Sequence, residues 1–284
     1  MKNWRFAFSR RWFGYLAVAV VFALVCVLLS NWQLSRLEEK RVSNSRVINN
    51  YDASPVALAD VLGDVDDWND DDTWTPVEMT GSYLEDDQVL VRNRPRSGQP
   101  GFEVLTPLQL ADGSVFIVDR GWLPTGNAQD LPDAVPAPPS GEVTVIARLK
   151  GGEPALPGRG APDGQIATVE LAQFAEQFDQ PVYTGAYGLL DSEDPAPSDS
   201  RPYPAFKPEL DEGSHLSYAF QWLVFGLLGF AFLAYAVREE YRHLNADDPA
   251  EKARAAERAR KRAARRTDSD VEDDLVDASE AGAR

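Results

Sequence analysis

The sequence predicts a membrane protein in which two transmembrane helices flank an extracytoplasmic, mainly antiparallel β (α+β) domain. Three observations predict it. Residues 13–29 and 216–237 form two runs, of 17 and 22 residues, without a formal charge. Between them lie short segments rich in β-branched and aromatic residues, punctuated by Gly, Pro and Asp. Basic residues gather outside the two runs, whereas residues 31–215 carry 32 acidic residues against 13 basic ones.

Residues 1–12 read as a basic cytoplasmic N-terminus, with Lys2, Arg5, Arg10 and Arg11 and no acid. The first span is assigned to 13–34. Its uncharged run is near the lower length for a hydrocarbon core of about 30 Å, and Ser30 to Leu34 extend it into the interface. Ser30-Asn31-Trp32-Gln33 offers no small-x-small cleavage site, so the run reads as an uncleaved anchor rather than a signal peptide. Residues 35–72 follow as an exit helix, with Leu37 and Arg41 continuing the helical spacing from Leu34, and an acidic loop. The β-rich domain occupies 73–193. Its strands are expected within 73–84, 87–94, 101–110, 114–122, 142–150 and 181–191. "LADGSV" (110–115) is a hairpin turn, because Asp-Gly tolerates positive φ. One short helix is expected at 170–178. Six strands and a helix are enough to bury one core, and the pattern fits a barrel and a sandwich equally.

Residues 194–214 hold five prolines and read as an extended tether. The second span is 215–237, and 238–284 is a charged cytoplasmic tail, first basic and then acidic. Basic flanks at both ends place both termini in the cytoplasm and the central domain outside. Two uncharged runs, each beside basic residues, favour spans over buried helices of a soluble protein.

The formal net charge of -17 argues against nucleic acid as a partner. Beside a membrane, the basic stretch 249–266 favours anionic lipid. The single cysteine, Cys26, excludes an intramolecular disulfide, CxxCH haem attachment and a thiolate metal pair. GxSxG, Walker, HExxH and Rossmann glycine patterns are missing, and the central domain has no histidine before its last residue. An enzyme built on carboxylates alone is a third reading, and the preferred one is that the chain is not an enzyme.

The two histidines are scarce enough to matter. His215 opens the second span, and Tyr218, Ala219, Trp222, Gly226 and Gly229 share its helical stripe. The glycines allow close approach of another helix or of a flat ligand. Trp32, Gln33 and Arg36 leave the first span on the same side, and a helical hairpin would bring Arg36 near His215. One reading is an aromatic belt with His215 as its polar end. The other is a haem-type site, with His215 on the iron and Arg36 facing the propionates. His243 lies at the opposite membrane face, too far to share a ligand with His215.

Four stretches resemble the surfeit locus protein 1 family, assembly factors for haem-copper cytochrome c oxidase. "NWQLSRLEEK" resembles its WQLxRL segment, "VEMTGSYLEDDQVLV" its VxxxGxY strand, "GFEVLTPLQLADGSVFIVDRGWLP" its TPL and RGW core, and "HLSYAFQWLVFG" its HLxYAxxW opening. Gly213-Ser214 stand where the family often has two asparagines, and Glu39-Lys40 where it often has Trp-Lys. The resemblance implies a bacterial plasma-membrane protein that holds haem a transiently and aids its loading into oxidase subunit I, with haem a synthase as donor. It carries the haem ligand onto His215, the binding aromatics onto Trp222 and Trp32, and the RGW motif onto Arg120, Gly121 and Trp122. These three are expected in structural or partner-binding roles, with Arg120 paired to a domain carboxylate and Gly121 at a strand-to-turn bend. A haem-free scaffold for oxidase intermediates is the alternative.

Overall fold

A computed structural model describes residues 4–127, 130–197 and 200–263. In chain order the elements are α1 (Arg10–Asn50), β1 (Val56–Ala57), α2 (Leu58–Val61), β2 (Pro76–Tyr83), β3 (Val89–Val91), β4 (Gly101–Leu110), β5 (Val115–Pro124), β6 (Glu142–Gly151), β7 (Gln165–Ile166), α3 (Leu171–Ala175), β8 (Ala186–Asp194), α4 (His215–Leu244) and α5 (Pro249–Ala263). The chain divides into two compact units. One joins residues up to Leu37 with those from Gly213 onward, and the other is Glu38–Glu212. The acidic end of the expected tail, 264–284, lies outside the described residues.

In the first unit, α1 and α4 are both long and apolar enough to cross a membrane. They pack through small side chains. Trp12, Ala19 and Cys26 are buried on α1 at seven-residue intervals, and Ala219 and Gly226 are buried on α4 at the same interval. A Cβ placed on Gly226 would lie 3.5 Å from Cys26 Cβ, and one on Gly229 would lie 3.1 Å from Phe22 Cδ1. The large apolar residues point the other way: Val18, Leu28, Leu227 and Phe232 are all exposed. Such a surface is costly in water and natural in lipid.

The second unit is a barrel. The sheet order is β1-β2-β6-β8-β5-β4-β3-β7, and β2 also pairs with β4, which closes a ring of five strands. Counted in chain order, the ring strands β2, β4, β5, β6 and β8 run 1-2-3-5-4 and back to 1. The third and fifth are parallel and the other pairs antiparallel. This is a Greek-key closure of the OB-fold kind, and it decides between barrel and sandwich. Gly81 makes the closure possible, because it pairs with both Val143 of β6 and Leu110 of β4. A Cβ there would run into the Gln109 carbonyl.

Burial explains the strand patterns. β6 alternates buried and half-buried residues, as a strand with one covered face should. β5 is buried on both faces. Phe116 and Val118 enter the core with Val77, Val145 and Leu149, while Val115 and Ile117 enter a second core with Val169, Leu171 and Phe174 around α3. That is why "VFIV" reads as an unbroken apolar run. The expected strand at 181–191 starts later, as β8 at Ala186, and the helix expected at 170–178 is confined to Leu171–Ala175.

The Pro-rich tether differs from expectation. Its middle is held on the barrel, because Tyr203 and Trp122 exchange two backbone hydrogen bonds of 2.8 Å. Arg96 donates to the carbonyl of Pro204 at 2.7 Å, and its guanidinium carbon stands 3.8 Å from the centre of the Phe206 ring. Prolines cannot supply a strand ladder, and here a single Tyr between two of them supplies the bridge.

Candidate functional site

The head of α4 is the first place to examine. His215 is its first residue, half-buried, and its Nδ1 lies 2.8 Å from Gln33 Oε1 on α1. A carboxamide oxygen only accepts, so with this placement the ring proton sits on Nδ1 and donates. In the neutral ring Nε2 then carries the lone pair. This is the arrangement of a metal-ligating histidine, whose second nitrogen is fixed by a carbonyl-type acceptor. Gly213, with φ +68°, packs against the Nε2 edge of the ring, where an added Cβ would sit 3.5 Å from Nε2.

The other expected site residues are placed unequally. Tyr218 and Trp32 are 49% and 52% exposed, so each offers a ring face outward. Trp222 is half-buried and meets Phe225 edge-on, with ring centroids 5.8 Å apart. Gln33 is the α1 residue hydrogen-bonded to His215. Arg36 stands over the Trp32 ring, 5.9 Å from its centroid. Gly226 admits α1 rather than a flat ligand, since Cys26 and Ala23 lie against it, and Gly229 packs beside Phe22. A haem group thus fits this unit in one respect, a preset lone pair on a half-exposed imidazole. It does not fit the glycine stripe.

The RGW stretch builds a second constellation inside the barrel unit. Between Glu103 and Leu105 of β4 the β5 partners jump from Trp122 to Asp119, so Arg120 and Gly121 together oppose Val104 alone. This is a bulge, and Gly121 takes φ +127° within the strand. The expected strand-to-turn bend at Gly121 is corrected accordingly. A Cβ at Gly121 would collide with the carbonyl of Tyr203. The extra residue moves Trp122 onto the face of Asp119, and both line one cavity of about 360 Å³ with Arg94, Glu103 and Lys150.

Arg120 goes to the opposite face. It is 1% exposed and donates to the carbonyls of Pro136 (2.8 Å) and Ala137 (3.0 Å) and to Gln88 Oε1 (3.3 Å). Its hydrogen bonds go to backbone carbonyls and an amide, where a carboxylate was expected. Burial lowers its pKa, and the nearby charge of Glu193 opposes that. Arg120 therefore pins the Pro-rich connection 131–141 to the barrel wall.

Sequence reading missed the charged cluster under Trp122. Arg94 donates to Glu153 and stands 2.9 Å from Glu103, while Trp122 Nε1 donates to the Arg94 carbonyl at 2.6 Å. The Arg94 Nε and Glu103 Oε2 atoms are close but misaligned, and neither gains a hydrogen bond. Asp119 is fully buried and accepts from the Gly121 N–H at 2.9 Å. Burial first, and then the charge of Glu103, push its pKa up to about 8, so it is neutral at ordinary pH. The same burial raises Glu103, against the pull of Arg94. Tyr187 is buried with no partner for its hydroxyl among the described residues. These groups come from the β3–β4 connection, β4, β5, the segment just after β6, and β8, and no spacing in the sequence links them.

A barrel set between two membrane-length helices, with an imidazole heading the second, defines the class. Comparisons agree with it. The profile of the SURF1 family matches residues 20–227. An uncharacterised SURF1-like protein of Mycobacterium bovis is 31% identical over 86% of this chain and 92% of its own length. A SURF1-like protein of Rickettsia bellii is 24% identical over 78% of this chain and 89% of its own. The cytochrome oxidase assembly protein SHY1 of Saccharomyces cerevisiae is 24% identical over 38% of this chain and 28% of its own. The chain belongs to the SURF1 family.

Proposed function

We propose that this protein is an assembly factor for haem-copper cytochrome c oxidase, seated in a bacterial plasma membrane by α1 and α4. In this reading His215 holds haem a at the outer interface for delivery to oxidase subunit I, and haem a synthase supplies it. Family membership and the yeast relative, a cytochrome oxidase assembly protein, support the assembly part. The lipid-like exposure of α1 and α4 supports the membrane part. Orientation follows from Arg10, Arg11, Arg238 and Arg242 at one end of the pair.

The single observation that carries the haem part is the Gln33–His215 hydrogen bond. It fixes the ring and leaves Nε2 as the donor atom. Bound haem a would supply only an iron able to accept one axial nitrogen. Tyr218 and Trp32 would offer apolar ring faces, and a single ligand suits transfer better than storage. No residue needs to make or break a bond.

The test is an absorption spectrum of the full chain, purified in detergent from cells that make haem a. A haem a band is expected in the native protein, lost in His215→Ala and weakened in Gln33→Leu. A second reading, a haem-free scaffold, is favoured by the filling of the glycine stripe by α1. It would be supported by protein that carries no haem yet co-purifies with oxidase subunits.

A further inference from the structure

We propose that the end of the helical unit where α4 meets α5 is a binding site for one anionic phospholipid, held by its phosphodiester. This rests on the reading that α4 crosses the membrane. A cavity of about 790 Å³ opens there, within the range of small-ligand sites. Its two walls differ in chemistry. Phe230, Leu233, Ala234 and Val237 form the apolar wall, from the last turns of the uncharged run. Arg238, Arg242, Arg254 and Arg258 form the other, with Trp4 and Tyr241 stacked at 4.6 Å beside them.

The charges do not cancel. Arg254 and Arg258 share the buried Glu251 at 3.5 and 2.7 Å, and Arg242 pairs with Glu239 at 2.9 Å. Arg238 has no ion pair among the described residues. Four guanidinium groups therefore meet two carboxylates, and the excess positive charge faces the cavity. Arginine forks match phosphate oxygens in pairs. A free phosphate would gain nothing from the apolar wall, whereas a phospholipid uses both walls at once. The order along α4 also fits, because apolar residues give way to arginines within one turn of Val237. The stacked Trp4 and Tyr241 mark the headgroup level between them.

The full chain in phosphatidylcholine vesicles tests this through tryptophan fluorescence. Brominated phosphatidylcholine or brominated phosphatidylglycerol is added at the same mole fraction. Stronger quenching by the brominated phosphatidylglycerol is expected, and Trp4→Phe should remove that excess. Arg238→Gln should weaken the apparent affinity for the anionic lipid about fivefold. Arg254→Gln with Arg258→Gln should do at least as much. Equal quenching by the two lipids leaves α4 in the bilayer and overturns the site. Quenching by neither removes the membrane reading and the site with it. Arg260→Gln with Arg262→Gln takes charge from α5 outside the cavity. An equal loss in that variant assigns the effect to a diffuse basic surface and overturns the proposal. Displacement by soluble glycerol phosphate would assign the cavity to a free phosphate ester instead.

Discussion

Replacing Asp119 by Asn should flatten the pH dependence of stability. Asn has the same shape, keeps an oxygen for the Gly121 N–H, and mimics the protonated acid. An ordinary aspartate titrates at 3.8, and burial raises Asp119 to about 8 in the folded barrel. Between these values the folded chain holds a proton that the unfolded chain has released. Stability from this group is therefore full below about pH 4 and declines as pH rises toward 8. One proton corresponds to at most about 1.4 kcal/mol per pH unit, so pH 5 to 7 removes up to about 3 kcal/mol. The assay is urea unfolding of the full chain in detergent at pH 5, 6 and 7, followed by fluorescence. The native protein should lose stability relative to Asp119→Asn as pH rises, because the difference cancels the titrating groups that do not interact with Asp119. Parallel curves would refute the reasoning. They would mean that Lys150 and Arg94 keep Asp119 ionised in the folded state.

Three further outcomes follow from the same geometry. Gly121→Ala should cost about 2–4 kcal/mol, from positive φ and from loss of the Tyr203 bridge. Faster amide exchange at Tyr203 would report the detached tether. Arg120→Met should cost about 1–3 kcal/mol, because it removes the hydrogen bonds that hold the Pro136 and Ala137 carbonyls; limited proteolysis should then cut within 131–141. Gly226→Leu should drive α4 away from Cys26, and a bulky thiol reagent that spares Cys26 in the native protein should label it in the variant.

Several features were legible in the sequence because they are local. The length and lack of charge of 13–29 and 216–237 do not depend on partners. The Asp112-Gly113 turn and the alternation of β6 are set by neighbours along the chain. Gly226 and Gly229 announced a close approach. The WQL, RGW and HLSYAxxW motifs carried the family.

Only the tertiary structure decided what those features meet. A glycine that admits a helix and one that admits a flat ligand have the same sequence, and here the face of Gly226 is taken by Cys26. Barrel closure depends on Gly81 joining β4 and β6, partners far apart in the chain. The Gly121 bulge depends on which residue of β4 lies opposite. The cluster of Arg94, Glu103, Asp119, Glu153 and Tyr187 arises only when separate strands wind into one ring. Periodicity fixes which face of a segment is apolar, but the pairing of faces is set by the packing of the whole chain. His215 shows both halves. Its scarcity was visible in the sequence, and its hydrogen-bond partner was decided by packing against Gln33, a residue 182 positions away.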